Sequence, residues 1–293
     1  MIPRPLGATG LLVSPVGLGA GRIGGADVTG ADVDRLVGAA LDAGVTLIDT
    51  ARSYGESEER VGRALAGRRE RVVLSTKVGY GVPGLADWSG PCVSAGVEAA
   101  LRRLATTWID VVHLHSCPIE VLRQGEVVEA IVRSVEAGKV RVAAYSGEGA
   151  ALDWAVQCGA FGAVQCSVSL VDQGVLAGAV ADAEARGIGV LGKRALGNAP
   201  WRHASRPSEP DVAEAWDRFQ SLALPAPAGG WVEVFARFAA FAPGVSALLV
   251  GTSSPVHLVE VVDAVRHGPL DGKEVMAART AFARVGPGWH GRI

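Results

Sequence analysis

Eight short apolar runs, each followed by a helical pattern, recur along the 293 residues of this chain, and that alternation limits its possible folds more than any other feature. The runs are SPVGLGA (Ser14 to Ala20), VTLIDT (Val45 to Thr50), RVVLSTK (Arg71 to Lys77), DVVHLH (Asp110 to His115), VRVAAYS (Val140 to Ser146), GAVQCSV (Gly162 to Val168), GIGVLGK (Gly187 to Lys193) and SALLVGT (Ser246 to Thr252). Helical patterns cover about 31–43, 57–67, 92–105, 124–138, 149–158, 172–186, 229–241 and 255–266, and several open on a cap, such as Ser57 before Glu58 and Glu59 or Ser254 before Pro255. Strands that read as continuous apolar runs are covered on both faces, as in a parallel sheet wrapped by helices. With this count and length, the pattern predicts an α/β fold, a closed (β/α)8 TIM barrel forming a single domain over 1–293, in preference to an open doubly wound sheet. The opening RPLGATGLLV places a turn between two extended pieces and predicts a β-hairpin ahead of the barrel. GLGAGRIGG is the nearest approach to a glycine-rich dinucleotide turn, but no helix follows where that motif needs one.

Composition narrows the partners. Hydrophobic residues make up 49% of the chain, the formal net charge is −2, and Lys and Arg are scattered, so no electrostatic footprint for nucleic acid or an anionic membrane is present. Apolar stretches are broken by charge, Gly or Pro short of a membrane span, and the start lacks the pattern of a secretion signal, so a cytoplasmic protein acting on small molecules is expected. The four cysteines (Cys92, Cys117, Cys158, Cys166) show no CxxC spacing, which predicts free thiols and no metal site.

In a barrel of this kind, residues at the C-terminal ends of the strands converge on one mouth. The ends carry Asp49, Lys77, His115, Ser146, Gln165 and Lys193 with Arg194, and Tyr54 follows the second strand within LIDTARSYGESEER. A phenol is a poor acid at neutral pH, but a neighbouring ammonium favours the phenolate, and Lys77 can supply it. Asp49 would hold Lys77 charged, and His115 would orient a substrate oxygen. Such a group suits protonation of an oxygen that gains negative charge, as when a carbonyl accepts a hydride. His113 alternates with His115 and points one layer deeper, as a neutral core histidine does. Cys117 is expected to be a bystander thiol.

At these residues the chain resembles the aldo-keto reductase family. The resemblance runs through RPLGATGLLVSPVGLG, IDTARSYGESEERVGRAL, STKVG, IDVVHLHSCP, GKVRVAAYSG, VQCSVSL, GIGVLGKRALGNAPW and GTSSPVHL, and fades after about Lys273. It implies Tyr54 as general acid, Lys77 as the residue that tunes it, Asp49 as the partner of Lys77, and His115 as the group that orients the carbonyl. It also implies a nicotinamide dinucleotide bound without a Rossmann motif, with NADP(H) favoured and NAD(H) possible. Ser146 and Gln165 would hold the carboxamide, Gly19, Ala20 and Leu196 would line the cofactor cleft, and Gly251, Thr252, Ser253, Ser254 and His257 would receive the adenosine phosphate at a helix N-terminus.

Three departures from the family pattern stand out. Gly147 replaces the usual Asn after Ser146. Lys193 and Arg194 replace the aromatic that usually stacks under the nicotinamide, which resembles a bacterial branch with a Lys-Arg pair, where a guanidinium plane can take over the stacking. Ser253 occupies the place of the basic residue that usually grips a 2′-phosphate, which weakens the preference for NADP over NAD. The leading expectation is reduction of an aldehyde or ketone. The alternatives are an NAD-dependent sugar or polyol dehydrogenase running the same chemistry backwards and a low-turnover cofactor-binding scaffold or sensor. Substrate choice is expected to reside in Arg22 and Ile23, in 82–88 with Trp88, in the insert ALGNAPWRHASRPS (Ala195 to Ser208) with Trp201, and in the tail GPGWHGRI. The sequence specifies neither the substrate nor the oligomeric state.

Overall fold

The computed structural model describes residues 1–291; Arg292 and Ile293, the last two residues of the tail named above, lie outside the described residues. The chain opens on an antiparallel pair, β1 (Arg4–Pro5) and β2 (Leu12–Val13), which is the expected hairpin. The eight apolar runs then supply β3 (Val16–Gly19), β4 (Leu47–Asp49), β5 (Val73–Val78), β6 (Ile109–His115), β7 (Val140–Ser146), β8 (Ala163–Ser167), β9 (Gly189–Lys193) and β10 (Ala247–Gly251). Each pairs in parallel with its neighbour in sequence, and β10 pairs with both β9 and β3, which closes the barrel.

Helices α1 (Gly30–Asp42), α2 (Ser57–Ala64) and α3 (Gly90–Arg103) follow β3, β4 and β5. The helix expected over 124–138 is α5 (Glu126–Glu136), and an additional short helix, α4 (Ile119–Gln124), precedes it; Gly125 between them takes φ 87°, which no right-handed helix contains. Helix α6 (Gly149–Gln157) follows β7, and α7 (Ala181–Ala185) is preceded by a wider-wound turn at Leu176–Val180. Helices α8 (Pro210–Leu222), α9 (Trp231–Ala240) and α10 (Pro255–Arg266) complete the ring. A last helix, α11 (Gly272–Val285), begins on a capping box between Asp271 and Glu274. It falls where the family resemblance fades, and its faint apolar face, with Ala278 and Ala281 buried, left little periodic signal. Among the described residues no helix is long and apolar enough to cross a membrane.

Two apolar layers hold the barrel in shape. The larger lies between strands and helices and includes Leu18, Ile48, Leu74, Val112, Val164, Val190 and Leu248. The smaller fills the interior at the hairpin end, where Leu6, Leu11 and Val13 pack with Leu47, Val73, Val111, Leu191 and Leu249. This packing plugs one end of the barrel and leaves polar strand ends at the other.

Candidate active site

At the open end, Asp49 on β4 and Lys77 on β5 face each other across neighbouring strands, both buried, with Lys77 Nζ 2.5 Å from Asp49 Oδ2. Lys77 Nζ also donates to the Thr50 carbonyl at 2.8 Å, and Ser75 Oγ donates to Asp49 Oδ1 at 2.7 Å. Burial pushes the Asp49 carboxyl up, but Lys77 and His113 outweigh it and hold the group below its ordinary value. Burial likewise pushes Lys77 down, and Asp49 with the Tyr54 phenol outweighs it, so the ammonium is held above its ordinary value. The Tyr54 ring lies over this ammonium, 5.0 Å from centre to Nζ.

Tyr54 is on a loop, yet that loop is clamped. Its carbonyl accepts from Ser57 N, and Glu56 N donates to the Gly24 carbonyl at 3.3 Å. Gly24 has to be glycine, because a Cβ there would fall 1.5 Å from the Tyr54 carbonyl oxygen. Arg60 Nη1 donates to the Ile23 and Gly25 carbonyls at 2.6 and 2.7 Å, and Ser57 Oγ joins Thr50 Oγ1 to the Ala20 carbonyl. The loops after β3 and β4 therefore behave as one body, with the phenol fixed over Lys77.

His115 ends β6 opposite. Its ring meets that of Tyr54 edge-on at 6.1 Å and stacks on Tyr80 at 5.6 Å, and Tyr80 Oη lies 2.8 Å from His115 Nδ1. Burial first, and the Lys77 ammonium second, press its pKa down to about 3, so the imidazole is neutral at any working pH. His113, one layer deeper and fully buried, is 3.1 Å from Ser75 Oγ and is pressed to about 4 by burial. Tyr80 escaped the sequence reading; its place two residues after the end of β5 was the available signal, and in the structure its ring also meets Trp88 at 5.4 Å. Burial pushes the Cys117 thiol up to about 12, as suits a bystander.

The next three strands form the adjoining wall: Ser146 and Lys193 end β7 and β9, whereas Gln165, expected at the end of β8, lies two residues before it, level with Leu191. Ser146 Oγ on β7 donates to Gln165 Oε1 on β8 at 3.1 Å, which leaves Gln165 Nε2 buried with no hydrogen-bond partner among the described residues. An unpaired buried amide donor facing the mouth fits a carboxamide or carbonyl oxygen from a ligand. Gly147 follows for a steric reason: a Cβ there would stand 2.3 Å from the Tyr145 hydroxyl, which itself donates to the Cys117 carbonyl. On β9, Lys193 Nζ lies 3.1 Å from Glu148 Oε1, a buried carboxylate that also accepts from Ser167 N and Oγ at 2.8 Å each. Burial outweighs the pull of Glu148 and holds Lys193 below its ordinary value. Glu148 is a residue that sequence reasoning missed, since an acid after a Gly at the start of a helix reads as an ordinary first-turn charge.

The remaining candidates spread around the rim. Gly19 ends β3 in register with Gly251 and Asp49, and Ala20 is buried behind Tyr54. Arg194, with φ 54°, reaches Asp211 at 3.5 Å, and Leu196 packs half-buried over the loop cluster. Ser254 caps α10 by accepting from His257 N, and its own N–H donates to Thr252 Oγ1, while Ser253 and His257 are exposed. Arg22 is exposed at the rim. Trp201 packs on Phe235 at 4.7 Å, inside the apolar cluster formed by α8, α9 and α11.

Comparison with known proteins adds to this geometry. The family model described as the Aldo/keto reductase family matches residues 15–281. The 6-dehydroglucose reductase of Novosphingobium aromaticivorans is 36% identical over 149 residues, 47% of this chain and 49% of that protein. The L-galactose dehydrogenase of Arabidopsis thaliana is 32% identical over 153 residues, 49% of this chain and 48% of that one. The matched stretch thus spans about half the length of these curated relatives. A provisionally assigned aldo-keto reductase structure from Pseudomonas aeruginosa superposes with a TM-score of 0.73 at 29% identity, covering 90% of this chain and 94% of the other.

Proposed function

The chain belongs to the aldo-keto reductase family, and from that premise we propose that it reduces an aldehyde or ketone to the alcohol with NAD(P)H, Tyr54 acting as general acid. The observation that carries this reading is a clamped phenol lying over an ammonium that a buried carboxylate keeps charged, with a neutral imidazole opposite. A reduced nicotinamide, when bound, supplies the hydride. Gln165 Nε2 and Ser146 Oγ would hold its carboxamide, and the capped N-terminus of α10 with Thr252, Ser253 and His257 would take the adenosine phosphate.

The chain's own residues then manage the proton. As charge grows on the carbonyl oxygen, Tyr54 passes its phenolic proton to that oxygen, and Lys77 stabilises the phenolate left behind. Asp49, with Ser75 and the Thr50 carbonyl around it, keeps Lys77 charged throughout the cycle. His115 is neutral, and its Nδ1 is engaged by the Tyr80 hydroxyl at 2.8 Å, which leaves Nε2 as the ring nitrogen that would orient the substrate oxygen. One barrel would carry both cofactor and substrate, and the four free thiols suit a reducing, cytoplasmic setting.

A second reading, NAD-dependent oxidation of a sugar or polyol, draws on the relative described as L-galactose dehydrogenase and on the lack of a cation at Ser253. Titration with NADPH and with NADH, followed by quenching of tryptophan fluorescence, tests both. The expected result is saturable binding of both, with NADPH tighter, and NADPH consumption with a panel of aldehydes and sugars. Tighter NADH binding favours the dehydrogenase, and binding of neither sinks the cofactor reading.

A further inference from the structure

His113 has no part in the proton transfer proposed above, yet a single serine separates it from the carboxylate that governs Lys77. The ring is fully buried, on β6 in register with Lys77, and its Nε2 lies 3.1 Å from Ser75 Oγ. Ser75 Oγ in turn donates to Asp49 Oδ1 at 2.7 Å, while Asp49 Oδ2 holds the Lys77 ammonium. Among the described residues, Asp49 and His113 alone bond the Ser75 hydroxyl. An ionised carboxylate only accepts, so the one hydroxyl proton of Ser75 is committed to Asp49. The serine oxygen is then an acceptor toward its other neighbour, which makes His113 Nε2 the donor. Burial keeps this imidazole neutral by pressing it down to about 4, so a single ring proton is available. Nδ1 is the bare nitrogen of that tautomer, and it is buried with no hydrogen bond among the described residues.

We infer that His113 is a positioning residue for the general acid, turning the Ser75 proton onto Asp49 and so keeping the proton of the Asp49–Lys77 pair on the lysine. The inference rests on the assignment of Tyr54 as that acid. A carboxylate and an ammonium in contact away from water pay a desolvation cost, and passing the proton between them leaves an uncharged pair that does not. A hydroxyl donor on the far carboxylate oxygen opposes that transfer, because a hydrogen bond to the charged form favours it. An uncharged pair offers the phenolate no cation, so a weaker donor chain makes Tyr54 a weaker acid. The titratable groups around the chain are few. Asp49 faces Lys77 and His113, Lys77 faces Asp49 and Tyr54, and His113 faces Asp49 and Lys77 with the Tyr145 backbone beside it. His115 lies edge-on to Tyr54.

The chain has three tyrosines, so the ultraviolet absorbance of tyrosinate during an alkaline titration reports Tyr54 once the trace of Tyr54→Phe is subtracted. The wild type is compared with Ser75→Ala, His113→Leu, His113→Gln and the Ser75→Ala, His113→Leu double variant. Ser75→Ala and His113→Leu should each move the Tyr54 midpoint upward by about 0.5 to 1 pH unit, the size of a hydrogen bond to a charged group felt at one remove. The double variant should match the larger single shift, since both changes act on one chain. His113→Gln, whose amide still donates, should stay near the wild type. A merely structural histidine would lower stability and leave the midpoint in place. An unshifted midpoint in His113→Leu, or an equal shift in His113→Gln, overturns the inference while the general-acid reading stands. Long-range proton–nitrogen NMR spectra of the labelled wild type decide the matter even if His113→Leu does not fold, the His113 signals being those lost in His113→Gln. A protonated Nε2 supports the donor chain, and a protonated Nδ1 turns the Ser75 proton toward the imidazole and overturns it. A Tyr54→Phe protein that reduces the aldehyde panel as fast as the wild type overturns the general-acid reading, and this inference with it.

Discussion

Two carboxylate–lysine pairs stand at the same barrel mouth and end in opposite electrostatic states. Asp49–Lys77 is closed and short, at 2.5 Å with the lysine 1% exposed, whereas Glu148–Lys193 is looser, at 3.1 Å with the lysine 19% exposed. Burial is the largest influence on both lysines and pushes both down. Only at Lys77 do the other groups win, because a carboxylate, a backbone carbonyl and a phenol all converge on one ammonium. At Lys193 the Glu148 carboxylate is shared with Ser167, and Arg194 pushes the same way as burial. Whether a buried ammonium is held above or below its ordinary value thus depends on the balance between burial and the charges around it, and the two lysines fall on opposite sides of that balance.

The largest expected difference lies in chemistry, since only the first pair has a phenol attached. Tyr54→Phe should slow single-turnover carbonyl reduction by about 10²- to 10⁴-fold, the usual worth of a general acid, with NADPH affinity unchanged. A variant that kept its full rate would detach the Asp49–Lys77 pair from catalysis.

Stability is the next discriminator. Asp49→Asn leaves a fully buried ammonium uncompensated and should cost about 3 to 5 kcal/mol. Glu148→Gln should cost less, because the Lys193 side chain is 19% exposed against 1% for Lys77, and water can take up part of the lost contact. Urea denaturation with fitted midpoints and slopes compares them, and equal losses would break the contrast.

The smallest effect is a slope. Lys77, raised in the folded state, contributes stability that is lost only as pH climbs through its folded value, above 10.5. Lys193, lowered from 10.5, has the reverse sign: the unfolded chain binds more protons between the folded value and 10.5, so stability rises with pH there. The stability of the wild type relative to the Glu148→Gln, Lys193→Met double variant should therefore increase as pH rises from neutral toward 10.5. A flat or falling difference would place Lys193 in the same class as Lys77.

The barrel was legible because its strands are covered on both faces, which turns each into an unbroken apolar run such as VRVAAYS, bounded as observed at Val140 and Ser146. Asp49, Lys77 and His115 were legible with it, since a strand end on such a run names its own position at the mouth. What escaped was set by contacts far apart in sequence. Glu148 finds Lys193 only once β7, β8 and β9 are side by side, and Tyr80 finds His115 only across β5 and β6. Trp201, which its loop allowed either as a substrate element or as a residue packed within the loop region, lies on Phe235 among the apolar faces of α8, α9 and α11, a contact that sequence order does not display. Helix α11 was hidden for a related reason: its buried face is mostly alanine, too weak a stripe to read without the helices beneath it.

The crowding at Gly147 has a consequence for inheritance. An amide side chain at that position has no room while Tyr145 is present, since its hydroxyl and ring carbons would lie 2.3 to 2.8 Å from the new Cβ. Trimming Tyr145 first would empty a buried site and forfeit its bond to Cys117, at a cost of about 3 to 5 kcal/mol. A larger residue at 147 therefore requires Tyr145 to shift or to be replaced with it, so the two positions are tied to each other in any change of how this wall holds a ligand.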